Sequence, residues 1–179
     1  MNNVFIYGVP GTGKTHISRL LGKTYGYTVI EGDTIKTLAR KGKTKRTDPF
    51  LFWGTCLAYK HFGDMTMQNA INGLLGVRAA LKDYVDQTVK SQPDTIIFEA
   101  AFVDPHSYCN NSKVFLVVTL DEKLHKKQFL SHREKLLDIK QNEFKSARMI
   151  QEFLIQEAQQ LGVTIIENSP DLDLSGLDI

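Results

Sequence analysis

The sequence predicts an α/β three-layer sandwich, with a five-stranded parallel sheet covered by helices on both faces. Two observations predict it. Five short apolar runs rich in β-branched and aromatic residues, Val4 to Tyr7, Tyr27 to Ile30, Thr95 to Phe98, Val114 to Val118 and Val163 to Ile166, are continuous rather than alternating. Continuous runs suit strands buried on both faces. The stretches between them are long enough for crossover helices, so the order strand, helix, strand, helices, strand, strand, helices, strand reads as a doubly wound sheet.

The helices follow from spacing. Ile17, Leu20 and Leu21 mark one face of a helix after Gly13, and Ile71, Leu74, Leu75, Leu81 and Val85 mark a longer one that stops before Pro93. Near the end, Ala147, Ile150, Leu154, Ala158 and Leu161 recur at intervals of three and four. Gly162 follows the last of them, as expected of a residue that ends a helix in the left-handed conformation.

The chain has 179 residues, and no repeat or Pro/Gly/Ser linker divides it, so one domain over 1–179 is expected, with an acidic and loosely held tail at 170–179. At this length a core can form without disulfides. Cys56 and Cys109 stand far apart and no leader-like stretch precedes the first strand, which predicts a reduced, cytoplasmic setting. No apolar run approaches the roughly 18 residues of a membrane-spanning helix. Lys plus Arg total 22 against 20 Asp plus Glu, a balance too even to imply a nucleic-acid partner. One stretch is uneven: Lys36 to Arg46 holds six basic residues and no acid. It reads either as a solvated loop face or as a contact for an anionic substrate or nucleic acid.

Gly8-Val9-Pro10-Gly11-Thr12-Gly13-Lys14-Thr15 fits G-x-x-x-x-G-K-[ST] and sits between the first strand and the first helix. Glycines there let backbone N–H groups turn toward a phosphate, and the helix N-terminus adds its positive dipole end. This loop predicts a P-loop NTPase that binds a nucleotide with Mg2+, and by itself leaves a kinase, a GTPase, a motor or a nucleotide-dependent switch open. Lys14 is expected on the β- and γ-phosphates and Thr15 on the metal.

Residues after the second and third strands separate kinase from switch. Asp33 follows the second strand and is the candidate base for a substrate hydroxyl; the competing reading makes it an N-cap. Lys36 and Arg40, four apart on one predicted helix face, could hold an anionic group of that substrate, or lie in solvent. The third strand closes on Glu99, a candidate for the magnesium shell and the substrate side of the site. No Asp-x-x-Gly follows this strand and no Asn-Lys-x-Asp occurs later, which disfavours a GTPase. The charged segment 121–148 is expected to be a helical lid, with Arg133 reaching over the phosphates and Arg148 as a second ATP contact. His106, Cys109 and Asp104 lack partners at zinc spacing and read as a loop facing the substrate. Trp53 reads as a core or lid aromatic.

These residues resemble small P-loop kinases, of nucleoside/nucleotide-kinase-like fold, and more narrowly the kinase domain of the 2-phosphoglycerate kinase family. Three stretches carry the resemblance: Asp33-x-Ile35-Lys36-x-x-x-Arg40; Gly76 to Leu81 running on to Glu99; and His132-Arg133-Glu134 followed by Arg148 to Leu154, Ala158 and Val163 to Asn168. With the P-loop, it spans most of 3–168. It implies ATP, magnesium and phosphoryl transfer to a hydroxyl of a small anionic acceptor. The chain departs from the family pattern at Ala100-Ala101-Phe102 and at Lys36, positions expected to face the acceptor. A nucleoside monophosphate or nucleic-acid 5′ end is the alternative acceptor, and a non-catalytic nucleotide-dependent switch the alternative function.

Overall fold

A computed structural model describes residues 3–131, 141–174, 176, 177 and 179. In chain order it comprises β1 (Val4–Tyr7), α1 (Lys14–Tyr25), β2 (Thr28–Glu31), α2 (Asp33–Ala39), α3 (Pro49–Phe52), a 3₁₀ turn (Ala58–His61), α4 (Met67–Lys90), β3 (Ile96–Glu99), α5 (Pro105–Tyr108), β4 (Lys113–Val118), α6 (Glu122–Ser131), α7 (Asn142–Leu161) and β5 (Thr164–Glu167). The five strands form one parallel sheet in the order β2-β3-β1-β4-β5, confirming the predicted class. β2, β3 and β5 each start and end one residue later than their apolar runs. The backbone ladder continues one residue past the last apolar side chain, through Glu31, Glu99 and Glu167.

Alternate residues of the central strands feed two cores, as the two-residue period of a strand requires. Val4 and Ile6, with Ile97, Phe115 and Val117, pack beneath Ile17 and Leu21 of α1. Phe5 and Tyr7, with Phe98, Leu116 and Val118, pack on the other side against Leu74, Val77 and Leu81 of α4 and Ala147, Ile150 and Leu154 of α7. Leu20 and Leu75, assigned by spacing to buried faces, are exposed. On α1, Ser18 and Gly22 occupy the buried positions instead, because the helix lies close enough to the sheet that a Cβ at Gly22 would crowd Tyr27 and Val29.

α4 and α7 are joined by a bidentate ion pair, Arg78 Nη1 to Glu157 Oε1 at 2.7 Å and Nη2 to Oε2 at 2.8 Å, with both side chains buried. Gly162 ends α7 in the left-handed conformation, φ 66°, as its position predicted. Among the described residues of the tail, Leu172, Leu174, Leu177 and Ile179 pack against the α1-side core, and Tyr25 donates its hydroxyl to the Leu177 carbonyl at 3.0 Å. The acidic count of this stretch hid its spaced leucines. Among the described residues no helix is long and apolar enough to cross a membrane.

Candidate active site

The loop from Gly8 to Thr15 joins the buried C-terminal end of β1 to the first turn of α1. Thr12 fastens it from within, its hydroxyl donating to the Val9 carbonyl at 3.0 Å. Gly11 and Gly13 have φ of +84° and +83°, in the left-handed region that favours glycine. Both are also pressed against neighbours. A Cβ on Gly11 would stand 2.8 Å from Phe129 Cα of α6, and one on Gly13 would collide with the Asn168 side-chain amide.

A second fastening reaches the loop from α6. The buried His125 ring places Nε2 3.0 Å from the Pro10 carbonyl, while Arg148 Nη1 lies 3.3 Å from its Nδ1. A guanidinium only donates, so Nδ1 accepts and Nε2 carries the hydrogen given to Pro10. Burial lowers the imidazole pKa and Arg148 and Lys14 reinforce this, against the opposing pull of the Pro10 carbonyl. The ring is therefore held neutral. Arg148 also donates to the carbonyls of Thr119 at 2.9 Å and Leu120 at 3.2 Å. Arg148, expected as an ATP contact, thus touches the P-loop through His125 and the residues after β4 directly. Arg133 lies outside the described residues.

The carboxyl ends of β2 and β3 supply the opposite side of the site. Glu99 is buried beside β1, and its Oε1 accepts the Thr15 hydroxyl at 2.8 Å. Gly32 donates its N–H to the Glu99 carbonyl at 2.8 Å and occupies the N-cap position of α2. Asp33 is thus the first helical residue rather than the cap, its side chain makes no capping bond, and it is exposed. Lys36, one turn on, sits over the Phe102 ring with Nζ 5.0 Å from its centroid. Burial pushes the Lys36 ammonium below the usual lysine range, with Asp33 pulling the other way.

Lys14, Thr15, Asp33, Lys36 and Glu99 all line one cleft of about 230 Å³. Ala100, Ala101 and Phe102 form part of its wall, so the two places where the chain departs from the family pattern share one cavity. Thr55 and Cys56 also line it. They gave no sequence signal, because they reach the cleft from the irregular segment before α4. On the other side of the loop, Gly11, Gly13, Lys14 and Thr15 line a cavity of about 360 Å³ with His16 and Asn168. Lys14 and Thr15 belong to both walls.

Arg40 is not part of this cleft. Its Nε donates to the Leu51 carbonyl at 2.7 Å and its guanidinium lies 5.4 Å from the Phe52 ring centroid, so it ties α2 to α3. Asp104, His106 and Cys109 do not line the cleft either. Asp104 caps α5, accepting the Ser107 hydroxyl at 2.8 Å, and His106 Nε2 stands 3.5 Å from Glu157. Trp53 is half-buried against the core.

No family model matches the chain. It is 26% identical over 181 residues to a 2-phosphoglycerate kinase of Methanocaldococcus jannaschii, with 92% of this chain aligned. The chain spans 58% of the length of that relative. Among solved structures it is similar to shikimate kinase from Acinetobacter baumannii, with a TM-score of 0.57 and 15% identity over 94% of this chain and 84% of that one. It is also similar to TT1252 from Thermus thermophilus, with a TM-score of 0.55 and 14% identity over 95% and 90%. These structural likenesses show a shared α/β fold.

Proposed function

We propose that the chain is a cytoplasmic phosphotransferase that uses ATP and Mg2+ and moves the γ-phosphoryl group to a hydroxyl of a small anionic acceptor, with 2-phosphoglycerate one candidate. One observation carries the reading: Lys14 and Thr15 line both the cavity of the glycine loop and a cleft containing Asp33, Lys36 and Glu99. A nucleotide held on the first side meets an acceptor held on the second across these two residues.

The loop N–H groups and the N-terminus of α1 would take the phosphates, and Lys14 would offset the charge on the group in transit. A hydroxyl and a carboxylate 2.8 Å apart, Thr15 and Glu99, are hard oxygen donors suited to Mg2+ and would hold it. Bound there, the ion neutralises charge on the nucleotide's phosphate oxygens. Asp33, uncommitted to capping, accepts the acceptor's hydroxyl proton or orients that hydroxyl. Lys36 pairs with the acceptor's anionic group. Its partial desolvation strengthens that contact, since Coulomb attraction grows as the local dielectric falls. The name of the Methanocaldococcus jannaschii relative supports a phosphorylated hydroxy acid.

Phosphorus NMR of the chain with ATP, Mg2+ and a panel of hydroxy acids, phosphorylated hydroxy acids and nucleotides tests the reading. ADP and one new phosphoester signal are expected, and Lys14→Ala should stay folded while lowering transfer by roughly a hundredfold or more. ATP left unchanged with every acceptor, or undiminished turnover in the folded variant, refutes it.

A further inference from the structure

We propose that the basic stretch between α2 and α4 builds a second ligand site, shaped for a planar ring carrying a phosphate, a phosphate monoester of mononucleotide size. A cavity of about 360 Å³ opens there between Lys45, Arg46 and Lys60 and the rings of Phe52, Trp53 and His61. Small-molecule sites typically have about 300–1,000 Å³. The cavity shares no lining residue with the acceptor cleft: Phe52 and Trp53 belong to it, and the next three residues, Gly54 to Cys56, belong to the cleft.

The charge around it is one-sided. Of the basic run, Lys36 lines the acceptor cleft, Arg40 binds the Leu51 carbonyl, and Lys43 pairs with Asp48 at 3.2 Å. Lys41 lines neither cavity, whereas Lys45 and Arg46 line this one, and the 3₁₀ turn brings Lys60 to it. None of the lining residues is acidic, and no carboxylate among the described residues pairs with these three cations. Cations converging without a counter-charge on a concave wall attract an anion, and a guanidinium matches phosphate with two parallel N–H···O bonds.

The aromatic wall is set in place beforehand. Arg40 lies against Phe52, and His61 meets Phe50 and Phe62 edge-on at centroid distances of 4.7 and 5.2 Å. Trp53 has no ring partner among the described residues, which leaves its indole to a ligand ring. A run of solvated charges needs no such wall; a phosphorylated flat ring uses both features.

Trp53 is the sole tryptophan of the chain, so its fluorescence reports occupancy of this cavity. Full-length protein is titrated with adenosine 5′-monophosphate, and equilibrium dialysis measures the same affinity independently of the optical response. Saturable binding is expected, weakened about tenfold or more when inorganic phosphate or adenosine replaces the nucleotide, and by a similar factor in Arg46→Ala. Lys14→Ala should bind as wild type. Absence of binding by both methods overturns the proposal, as does loss of binding in Lys14→Ala, which would place the nucleotide at the P-loop. Affinity for 5′-phosphorylated oligothymidylates that rises with length would also overturn it, in favour of nucleic acid. No turnover is needed, so these outcomes are separate from those that test the kinase reading.

Discussion

Acidification should weaken this fold through His125, and the size of the effect follows from its surroundings. In the unfolded chain the imidazole has its ordinary pKa of 6.5; in the folded chain burial, Arg148 and Lys14 hold it lower, against the Pro10 carbonyl and Glu122. As pH falls below about 6.5 the unfolded chain therefore takes up the proton first, and the folded state loses stability until its own imidazole protonates. Above about pH 7 both states are neutral and the loss disappears. For one such group, going from pH 7.5 to 5.5 removes up to about 1.4 kcal/mol. In a chain of this size that corresponds to about 3–6 °C in Tm. His125→Gln supplies the control: its amide can donate to Pro10 and accept from Arg148 but does not titrate. Thermal melts of wild type and His125→Gln are compared at the two pH values, so that contributions from His16, His61, His106 and the carboxylates cancel in the difference. Wild type should lose more, by up to that margin. Parallel losses in the two proteins would refute a neutral His125 that donates to the loop.

Asp33→Asn separates chemistry from architecture. With no capping bond to lose, Tm should hold within about 2 °C, the size of a typical surface effect, while single-turnover transfer falls roughly 10²–10⁴-fold; an unchanged rate would remove Asp33 from the mechanism. Arg78→Ala should be severely destabilising, by about 3–5 kcal/mol in urea unfolding, because it leaves Glu157 buried without its guanidinium. The Arg78→Met/Glu157→Leu double variant should recover most of that loss, and a double variant as unstable as the single would contradict this account.

What was legible in the sequence is what the chain carries locally. The P-loop is contiguous, and Glu99 and Asp33 stand out because each lies at or just beyond the C-terminal end of a strand, a position that Glu31 and Glu167 share without lining the cleft. The strand order was not legible, since β1 pairs with β3 and β4, neither its neighbour in sequence. Spacing does put Arg40 one helical turn from Lys36, but the Leu51 carbonyl and the Phe52 ring of α3 hold its guanidinium, and that partner is not visible in the spacing. Asp33 is open to a capping role in sequence because Asp favours the N-cap, a position that Gly32 occupies instead. His125 gave no signal, because its meaning depends on Pro10, 115 residues away. The basic run was ambiguous because its members go to different places, Lys36 to the acceptor cleft, Arg40 to the Leu51 carbonyl, Lys43 to Asp48, and Lys45 and Arg46 to a separate cavity, which spacing alone does not sort.

Lys14 and Thr15 stand in the walls of two cavities at once. A partition of that kind has a stereochemical consequence for the proposed reaction. Donor and acceptor must be present together, and the phosphoryl group passes from one to the other without resting on a side chain. That is a single displacement, with the entering oxygen opposite the departing one. The three peripheral oxygens then turn through a plane, so a donor whose transferred phosphorus is made chiral with oxygen isotopes would give a product of inverted configuration, whichever hydroxyl receives it.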